Sequence, residues 1–228
     1  MIDEALDALK SRSRGISLGI MAADQGHLRL AARQSAAWGC KILHFDVMDG
    51  VFVPAMTAGP GNVNALNNGQ LHDVHLMVNS PSAHVASYVK AGADMITVHA
   101  EAPDAADAIT AIRAAALKAD RPVLAGLALM PGTTLAQAAG LLAMSPDLIL
   151  ILSLDPRSNT PPDITTACAR VTELRALAPD AVLAFDGGVT LETLPEIAAA
   201  APDVIVSGSA VFGAKNPQSA FEIMERAC

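Results

Sequence analysis

Aromatic and charged residues are scarce in this chain of 228 residues. Aromatic residues make up 3% and charged residues 17%, whereas hydrophobic residues make up 52%. So apolar a chain is not intrinsically disordered, and its length suits one domain of barrel size better than two. The three cysteines, Cys40, Cys168 and Cys228, share no CxxC or CxxH spacing. This excludes a disulfide scaffold and predicts reduced, buried thiols without structural zinc.

Features typical of membrane and nucleic-acid-binding proteins are also missing. No stretch of about 18 residues is apolar and free of charges and helix breakers, so we expect no transmembrane helix. The first residues, MIDEALDALKSRSR, lack the apolar core of a secretory signal. The formal net charge is −8, with no basic cluster to neutralise nucleic-acid phosphates. We therefore expect a cytoplasmic protein that binds neither membranes nor nucleic acid.

Short apolar segments recur along the chain at intervals of roughly 20 to 30 residues. Each is rich in Val, Ile, Leu or Met, and most are continuous rather than alternating, which is typical of strands buried on both faces. They lie at Gly15–Met21, Lys41–Val47, Val74–Val78, Met95–His99, Val123–Leu129, Leu148–Leu154, Val182–Phe185 and Val204–Val206.

Segments rich in alanine and leucine, with helical spacing, alternate with these strands. At the N-terminus, Ile2, Leu6 and Leu9 form one apolar stripe, which predicts an extra helix at the bottom of the fold. The other predicted helices are Ala105–Ala119, Thr134–Met144, Ile164–Leu177, Thr190–Ala200 and Pro217–Ala227.

Eight strands alternating with helices favour a single (β/α)8 TIM barrel domain over residues 1–228, with a short extra N-terminal helix. The alternative is a doubly wound open sheet, which usually carries a glycine-rich dinucleotide-binding turn after its first strand. The corresponding turn here reads Met21-Ala22-Ala23-Asp24, without a GxGxxG motif. We therefore predict the barrel.

Polar residues gather where several predicted strands end, which is where barrels of this kind place their active sites. His44 and Asp46 are two residues apart on the second strand and so point to the same side. The third strand contributes His75 and the seventh ends at Asp186. One such residue alone is more often a hydrogen-bonded core group or a loop anchor. Four at the ends of three strands favour a catalytic site or a site for a divalent Zn, Fe, Mn or Co ion.

Five segments of the chain resemble the ribulose-phosphate 3-epimerases in order and spacing. They read HFDVMDGVFVPAMTAGP, DVHLMV, AGADMITVHAE, FDGGV and VSGSAVFG and lie between about Gly15 and Gly213. The resemblance implies a metal-binding isomerase of carbohydrate metabolism, acting on pentose phosphates. By position, His44, Asp46, His75 and Asp186 match the family's ligands for one divalent ion. Asp46 and Asp186 also match its two acid/base carboxylates.

The resemblance also implies a reaction and a substrate. One aspartate removes the C3 proton of a ketose phosphate such as ribulose 5-phosphate, and the other returns a proton to the opposite face. The metal stabilises the enediolate between the two steps as a Lewis acid. Met48 and Met77 match methionines that wall the intermediate, although methionine is more often a core filler. Family members are commonly dimers or hexamers, so we expect a homo-oligomer that binds a sugar phosphate.

Part of the family's phosphate site is present. Barrels of this kind often hold phosphate with backbone N–H groups in the loops after strands seven and eight and at a helix N-terminus. Four residues match those loops; without the resemblance they are equally well turn glycines and a helix-capping serine. They are Gly187, Gly188, Gly208 and Ser209.

The loop after the sixth strand departs from the family. Its usual P-G-F-G-G-Q is replaced here by SLDPRSNTPP at positions 153–162. The glycines that let a backbone approach an anion are gone, and proline has no N–H to donate. Arg157 or Asn159 is the candidate for a replacement side-chain contact; the alternative is that Arg157 is a solvated loop charge.

Three more substrate-contact positions differ from the family pattern. Gly19 replaces a substrate-contacting serine, Met130 replaces the asparagine of A-L-N-P, and Leu152 replaces a methionine. These differences leave three substrate classes open: ribulose 5-phosphate bound with lower affinity, a related ketose phosphate, or a sugar without phosphate.

Other enzymes built on barrels need particular residues, and the sequence can be searched for them. A Schiff-base aldolase needs a lysine at a strand end, and only Lys41 falls in a predicted strand, at its start. The decarboxylase motif D-x-K-x-x-D has no counterpart, because the segment 46–49 contains no lysine. A metal-dependent lyase that shares the enediolate and a non-catalytic sugar-phosphate-binding barrel both stay open.

Overall fold

The computed structural model describes residues 2–228, with side chains from residue 4 onward. All eight predicted strands form, and they close into a parallel barrel in chain order. The first strand pairs with both the second and the eighth, so the barrel is confirmed and the open sheet is wrong. The strands are β1 Gly15–Gly19, β2 Ile42–Met48, β3 Leu71–Met77, β4 Met95–His99, β5 Leu124–Leu129, β6 Leu148–Leu152, β7 Val182–Asp186 and β8 Val204–Ser207.

The helices lie between the strands and cover the outside of the barrel. The sequence pattern did not predict four helices: Leu28–Ala37, Pro60–Ala65, Val85–Ala91 and Ser209–Phe212. The first of them buries Ala31, Ala32 and Ser35, so its inner face lacks the large apolar residues that mark a stripe. The helices are α1 Ile2–Arg12, α2 Leu28–Ala37, α3 Pro60–Ala65, α4 Val85–Ala91, α5 Ala105–Lys118, α6 Leu135–Leu142, α7 Ile164–Leu177, α8 Leu194–Ala199, α9 Ser209–Phe212 and α10 Pro217–Glu225.

Side chains alternate along each strand between the barrel interior and the helix layer. On β2, Leu43 and Phe45 pack with the outer helices, while Ile42 packs inside the barrel. The inside is filled at its lower end by apolar side chains from the other strands, including Leu71 and Met95. On β2 and β3, polar interior side chains begin at His44 and Asp73, one layer above Ile42 and Leu71.

The N-terminal helix closes the lower end of the barrel. Leu9 of α1 is buried among the interior side chains, and Leu6 packs against the same cluster. This confirms the predicted position of the extra helix; the side chain of Ile2 lies outside the described ones.

One strand begins earlier than the apolar pattern predicts. β3 starts at Leu71 rather than Val74, because His72 and Asp73 are polar yet buried. Asp73 points into the barrel, where it has polar partners. A pattern based on hydrophobicity misses such residues, since it assigns polar side chains to loops.

The three cysteine side chains differ in burial. Cys40 and Cys168 are buried free thiols as predicted, but Cys228 is exposed, because it follows the last turn of α10.

Over residues 2–228, no helix combines the length and the hydropathy needed to cross a bilayer.

Candidate active site

The four predicted metal-ligand residues meet inside the upper end of the barrel. His44 and Asp46 come from β2, His75 from β3 and Asp186 from the last position of β7. Strand pairing sets Asp46 directly beside His75. Each residue offers one ligand atom, and these atoms all lie within 4.8 Å of one another. We call these residues the four-residue cluster.

One nitrogen of each histidine faces the carboxylates of the cluster. Asp46 Oδ1 lies 3.2 Å from His44 Nε2 and 3.3 Å from His75 Nδ1. Asp186 Oδ2 lies 3.6 Å from the same nitrogen of His75. Two imidazole nitrogens and two carboxylates thus converge on one point, a donor set that a divalent transition metal accepts.

The other nitrogen of His44 has a buried carboxylate partner. His44 Nδ1 donates to Asp73 Oδ2 at 2.7 Å, and Ser17 Oγ donates to the same oxygen at 2.9 Å. A carboxylate in this position holds the ring and leaves Nε2 free to bind a cation. Sequence reasoning did not select Asp73 or Ser17. Asp73 stands two residues before His75 on the same strand face, and that spacing was the available signal.

The other nitrogen of His75 leads to a second buried histidine. His75 Nε2 and His99 Nε2 share a hydrogen bond of 2.7 Å, and His99 Nδ1 lies 3.1 Å from Glu101 Oε2. Glu101 Oε1 accepts from the Met130 backbone N–H at 3.1 Å and from the Thr133 hydroxyl. His99 and Glu101 lie in the family-like segment AGADMITVHAE, but the sequence pattern does not assign them a role. Their spacing of two at the end of β4 repeats the pattern of His44 and Asp46.

The surroundings drive the pKa values of the two cluster carboxylates apart. Burial tends to raise the pKa of Asp46, but His44 and His75 outweigh it and hold this pKa well below its usual value. Burial raises the pKa of Asp186 above its usual value, and the neighbouring Asp46 adds to this shift. Two carboxyl groups with opposite shifts suit complementary roles, one as a base and the other as an acid.

The histidines also differ in pKa. Burial works against a charge on His44, yet Asp73 and Asp46 more than compensate and hold its pKa well above the usual value. Burial lowers the pKa of His99 to about 4, although Glu101 acts in the opposite direction. His99 is therefore a neutral imidazole near neutral pH, with one nitrogen that donates and one that accepts.

A cleft of about 230 Å³ adjoins the cluster on the side of β1, β7 and β8. Asp46 and Asp186 line it, together with the residues predicted for phosphate binding and with Gly19. We call this pocket the glycine cleft; its glycine-loop residues are Gly187, Gly188, Gly208 and Ser209.

Close backbone approach explains two of these glycines. A Cβ on Gly19 would lie 3.2 Å from the Cα of Gly208, so β1 and the loop after β8 touch without side chains between them. Gly188 has a φ of +63°, and a Cβ there would lie 2.6 Å from the Cβ of Pro162. The divergent loop after β6 therefore packs directly against the cleft through Pro162.

Arg157 lies away from the glycine cleft. Its Nε and Nη2 donate to both carboxylate oxygens of Asp155, at 2.7 to 3.3 Å. Its guanidinium carbon lies 5.7 Å from the centroid of the Phe52 ring, and that ring lies 5.0 Å from the His99 ring. Arg157 thus stands over the β4 side of the site, and its predicted contact with substrate stays a prediction.

The two predicted methionines are neighbours above the cluster. Met48 follows Asp46 by two residues and Met77 follows His75 by two, so each lies on the same strand face as its ligand residue. The two are paired across β2 and β3. This places both at the rim of the site, and their contact with an intermediate stays a prediction.

The chain matches known proteins in sequence over most of its length. The model of the "Ribulose-phosphate 3 epimerase family" matches residues 15–212. This chain belongs to that family. It is 36% identical over 206 residues to the ribulose-phosphate 3-epimerase of Rhodobacter capsulatus, covering 88% of this chain and 87% of the relative. The predicted family and enzyme class, a ribulose-phosphate 3-epimerase-like isomerase, are confirmed.

Other family members and solved structures extend this result. The Bacillus subtilis ribulose-phosphate 3-epimerase is 32% identical over 213 residues, covering 90% of this chain and 95% of its own. Among solved structures, a 3-hexulose-6-phosphate synthase superposes with a TM-score of 0.70 at 18% identity, covering 93% of this chain and 99% of that one. At that identity the synthase supports the barrel fold alone.

Proposed function

We propose that this family member inverts C3 of a ketose phosphate by proton transfer between two carboxylates. The substrate pair is ribulose 5-phosphate and xylulose 5-phosphate or a close relative. The observation that carries the proposal is the pair Asp46 and Asp186, which lie beside the same histidine and have pKa values shifted in opposite directions. Inversion needs two such groups, because one group cannot reach both faces of a carbon.

The four-residue cluster fits a divalent metal ion. Its two carboxylates and the two imidazole nitrogens that face them converge within 4.8 Å, while the remote nitrogens are held by Asp73 and His99. We propose His44, Asp46, His75 and Asp186 as the ligands of one Zn, Fe, Mn or Co ion. A bound ion would polarise the ketone oxygen and stabilise the negative charge of the enediolate.

The aspartates divide the proton transfers. Asp46, with its low pKa, is ionised and ready to accept the C3 proton from one face of the substrate. Asp186, with its raised pKa, holds a proton more readily and donates it to the opposite face. Reaction in the reverse direction exchanges the two roles. Met48 and Met77 would exclude water from the enediolate between the two steps.

The glycine cleft is the proposed site of the phosphate group. Gly187, Gly188, Gly208 and Ser209 lie on the loops after β7 and β8, where barrels of this type often hold phosphate. The cleft also reaches Asp46 and Asp186, so an anion held there would place a short sugar across the carboxylates. Arg157 is proposed to contact the substrate from the β4 side.

A substrate panel tests the proposal. Four- to six-carbon ketose phosphates and the matching free ketoses are incubated with the metal-loaded protein in D2O. We expect deuterium at C3 and the C3 epimer as product, fastest with a five-carbon phosphate. Fragments of two or three carbons would identify a lyase instead, and the absence of exchange with every sugar would support a non-catalytic binding barrel.

A second candidate is an epimerase of sugars without phosphate. The observation that favours it is the loop after β6, which has none of the glycines of the family's P-G-F-G-G-Q and ends in Pro161 and Pro162. This candidate predicts faster C3 exchange with a free ketose than with its phosphate. The opposite ranking supports the phosphate site in the glycine cleft.

The remaining parts of the proposal concern cell location and assembly. We propose a cytoplasmic homo-oligomer that binds small sugar phosphates and neither membranes nor nucleic acid. Its net charge of −8 supports the last point, because nucleic-acid binding relies on positive charge. Light scattering together with size-exclusion chromatography measures the oligomeric state.

A further inference from the structure

The two histidines of the four-residue cluster are anchored differently. His44 reaches a carboxylate directly, whereas His75 reaches one through a second imidazole. We propose that His99 and Glu101 are positioning residues that select the ring tautomer of His75 and thereby prepare it as a metal ligand. This inference rests on the metal site of the proposed function and extends it to two residues outside the four-residue cluster.

The geometry between the two rings indicates a hydrogen bond rather than ring stacking. The nitrogens are 2.7 Å apart, the ring centroids are 4.9 Å apart, and the ring planes differ by 23°. Rings so close to coplanar, with two nitrogens in contact, meet edge to edge. Both histidines are fully buried, so water does not compete for this bond.

Glu101 determines the direction of the hydrogen bonds. All its recorded partners approach as donors or can do so: the Met130 N–H, the Thr133 hydroxyl and His99 Nδ1. A carboxylate only accepts, so His99 must carry its proton on Nδ1 and present a lone pair at Nε2. His75 then donates from its own Nε2, so in the neutral ring Nδ1, which faces Asp46 and Asp186, carries the lone pair that can bind an ion.

The direction of these hydrogen bonds matters because a metal binds only an unprotonated nitrogen. If the proton moved to His75 Nδ1, it would occupy the position that the four-residue cluster offers to the ion. The chain from Glu101 through His99 to His75 therefore does for one ligand what Asp73 does for the other. The contacts of Glu101 with Met130 and Thr133 hold the far end of the chain to the β5–α6 loop.

Replacing the carboxylate by an amide tests the direction of these bonds. In Glu101→Gln the amide oxygen stays with Met130 and Thr133, and the NH2 group faces His99 Nδ1. This favours the opposite tautomer of His99 and drives a proton onto His75 Nδ1. We expect Zn²⁺ to bind about 10- to 100-fold more weakly, the usual effect of losing a group that orients a ligand.

Two substitutions of His99 separate hydrogen bonding from packing. His99→Gln keeps an acceptor within reach of His75 but loses the ring, while His99→Leu fills similar space without a polar atom. If His99 positions His75, the Gln variant retains most of the Zn²⁺ affinity and the Leu variant loses it. If His99 only packs, Leu performs at least as well as Gln, and the proposal is wrong.

Zn²⁺ affinity is measured by competition with a chromophoric chelator, and nitrogen NMR of the zinc-loaded protein reports which ring nitrogen of His75 carries a proton. His27→Asn is the matched control, because His27 also pairs with an aspartate, at 2.9 Å, but on the exposed surface. Circular dichroism and thermal unfolding confirm that each variant is folded. Should Glu101→Gln fail to fold, the two His99 variants and the wild-type NMR spectrum still decide the question.

The outcomes separate this inference from the proposed function. Failure of the wild-type protein to bind Zn²⁺ or Co²⁺ contradicts the metal site itself. Tight wild-type binding, with unchanged affinity and an unchanged His75 tautomer in Glu101→Gln and His99→Leu, overturns the positioning role and leaves the metal site standing.

Discussion

Strands hold the four-residue cluster, whereas loops form most of the glycine cleft. His44, Asp46, His75 and Asp186 all lie within β2, β3 and β7, and strand pairing sets their relative positions. Gly187, Gly188 and Gly208 follow strand ends, and the cleft they line touches the divergent loop after β6. A change of loop sequence can therefore alter the glycine cleft without displacing the cluster.

The contrast between strands and loops also appears in the resemblance of this sequence to the family. The cluster residues lie in segments that resemble the family's motifs, while its usual P-G-F-G-G-Q loop is replaced by a segment with three prolines at 153–162. We infer that substitutions in this protein can change substrate binding without changing proton transfer, and the reverse. Changes in the cluster should act on kcat, and changes around the cleft should act on KM.

The largest effect is expected for Asp186→Asn. An amide cannot exchange protons as a carboxyl group does, so kcat should fall by about 10²- to 10⁴-fold. Metal affinity should fall much less, because the amide oxygen remains a possible ligand. Steady-state kinetics and Zn²⁺ titration measure the two effects. Asp180→Asn, at an exposed position, is the control; near wild-type kcat in Asp186→Asn would remove this residue from the proton-transfer scheme.

Removal of the metal is expected to have the second-largest effect. Losing a Lewis acid costs several kcal/mol of transition-state stabilisation, which corresponds to a rate decrease of about 100-fold or more. A chelator followed by desalting should lower the rate of C3 exchange by that factor, and added Zn²⁺, Mn²⁺ or Co²⁺ should restore it. Metal analysis must accompany the assay, because full activity of protein shown to be metal-free contradicts the proposed role of the ion.

A change in the glycine cleft should act on binding. In Gly188→Ala the new Cβ would lie 2.6 Å from Pro162, and the φ of +63° is strained for alanine. We expect a lower melting temperature and a KM for the phosphorylated substrate raised about tenfold, close to the loss of one hydrogen bond to a charged group. The kcat should stay within a few-fold of wild type.

The control for that variant is Gly140→Ala. Gly140 lies in α6 with open space around its Cα, so alanine should be neutral or stabilising there. A large loss of kcat in Gly188→Ala with KM unchanged would contradict the separation of the two regions.

The smallest effect is expected for Arg157→Ala. This guanidinium already pairs with Asp155 and is partly exposed, so its contribution to substrate binding should be about 1 kcal/mol or less. We expect KM to rise by a few-fold at low salt and less at high salt. Arg226→Ala, at an exposed position, is the control. An unchanged KM would exclude Arg157 as a substrate contact.

Much of this arrangement follows from local sequence patterns. Continuous Val, Ile and Leu segments of strand length predicted all eight strands, because buried parallel strands carry apolar residues on both faces. The spacing of two between His44 and Asp46 predicted a shared direction. The apolar stripe of Leu6 and Leu9 predicted the helix that closes the barrel, since a helix buries one face.

Local patterns of this kind do not predict contacts between strands that are far apart in the sequence. The early start of β3 depends on buried polar partners of Asp73, which come from β1 and β2. The link from His75 to His99 depends on the pairing of β3 with β4, and Glu101 reaches residues near the end of β5. The pairing of Arg157 with Asp155 and its place over Phe52 likewise depend on how the loops fold.

The physical reason is the range of the interactions involved. Backbone periodicity and the burial of apolar side chains act over a few residues, so the sequence alone determines the eight strands, their order and the shared direction of His44 and Asp46. Hydrogen bonds between imidazoles and carboxylates act over about 3 Å between residues far apart in the chain. Barrel closure and strand register bring those atoms together, and they decide which nitrogen of each histidine is free.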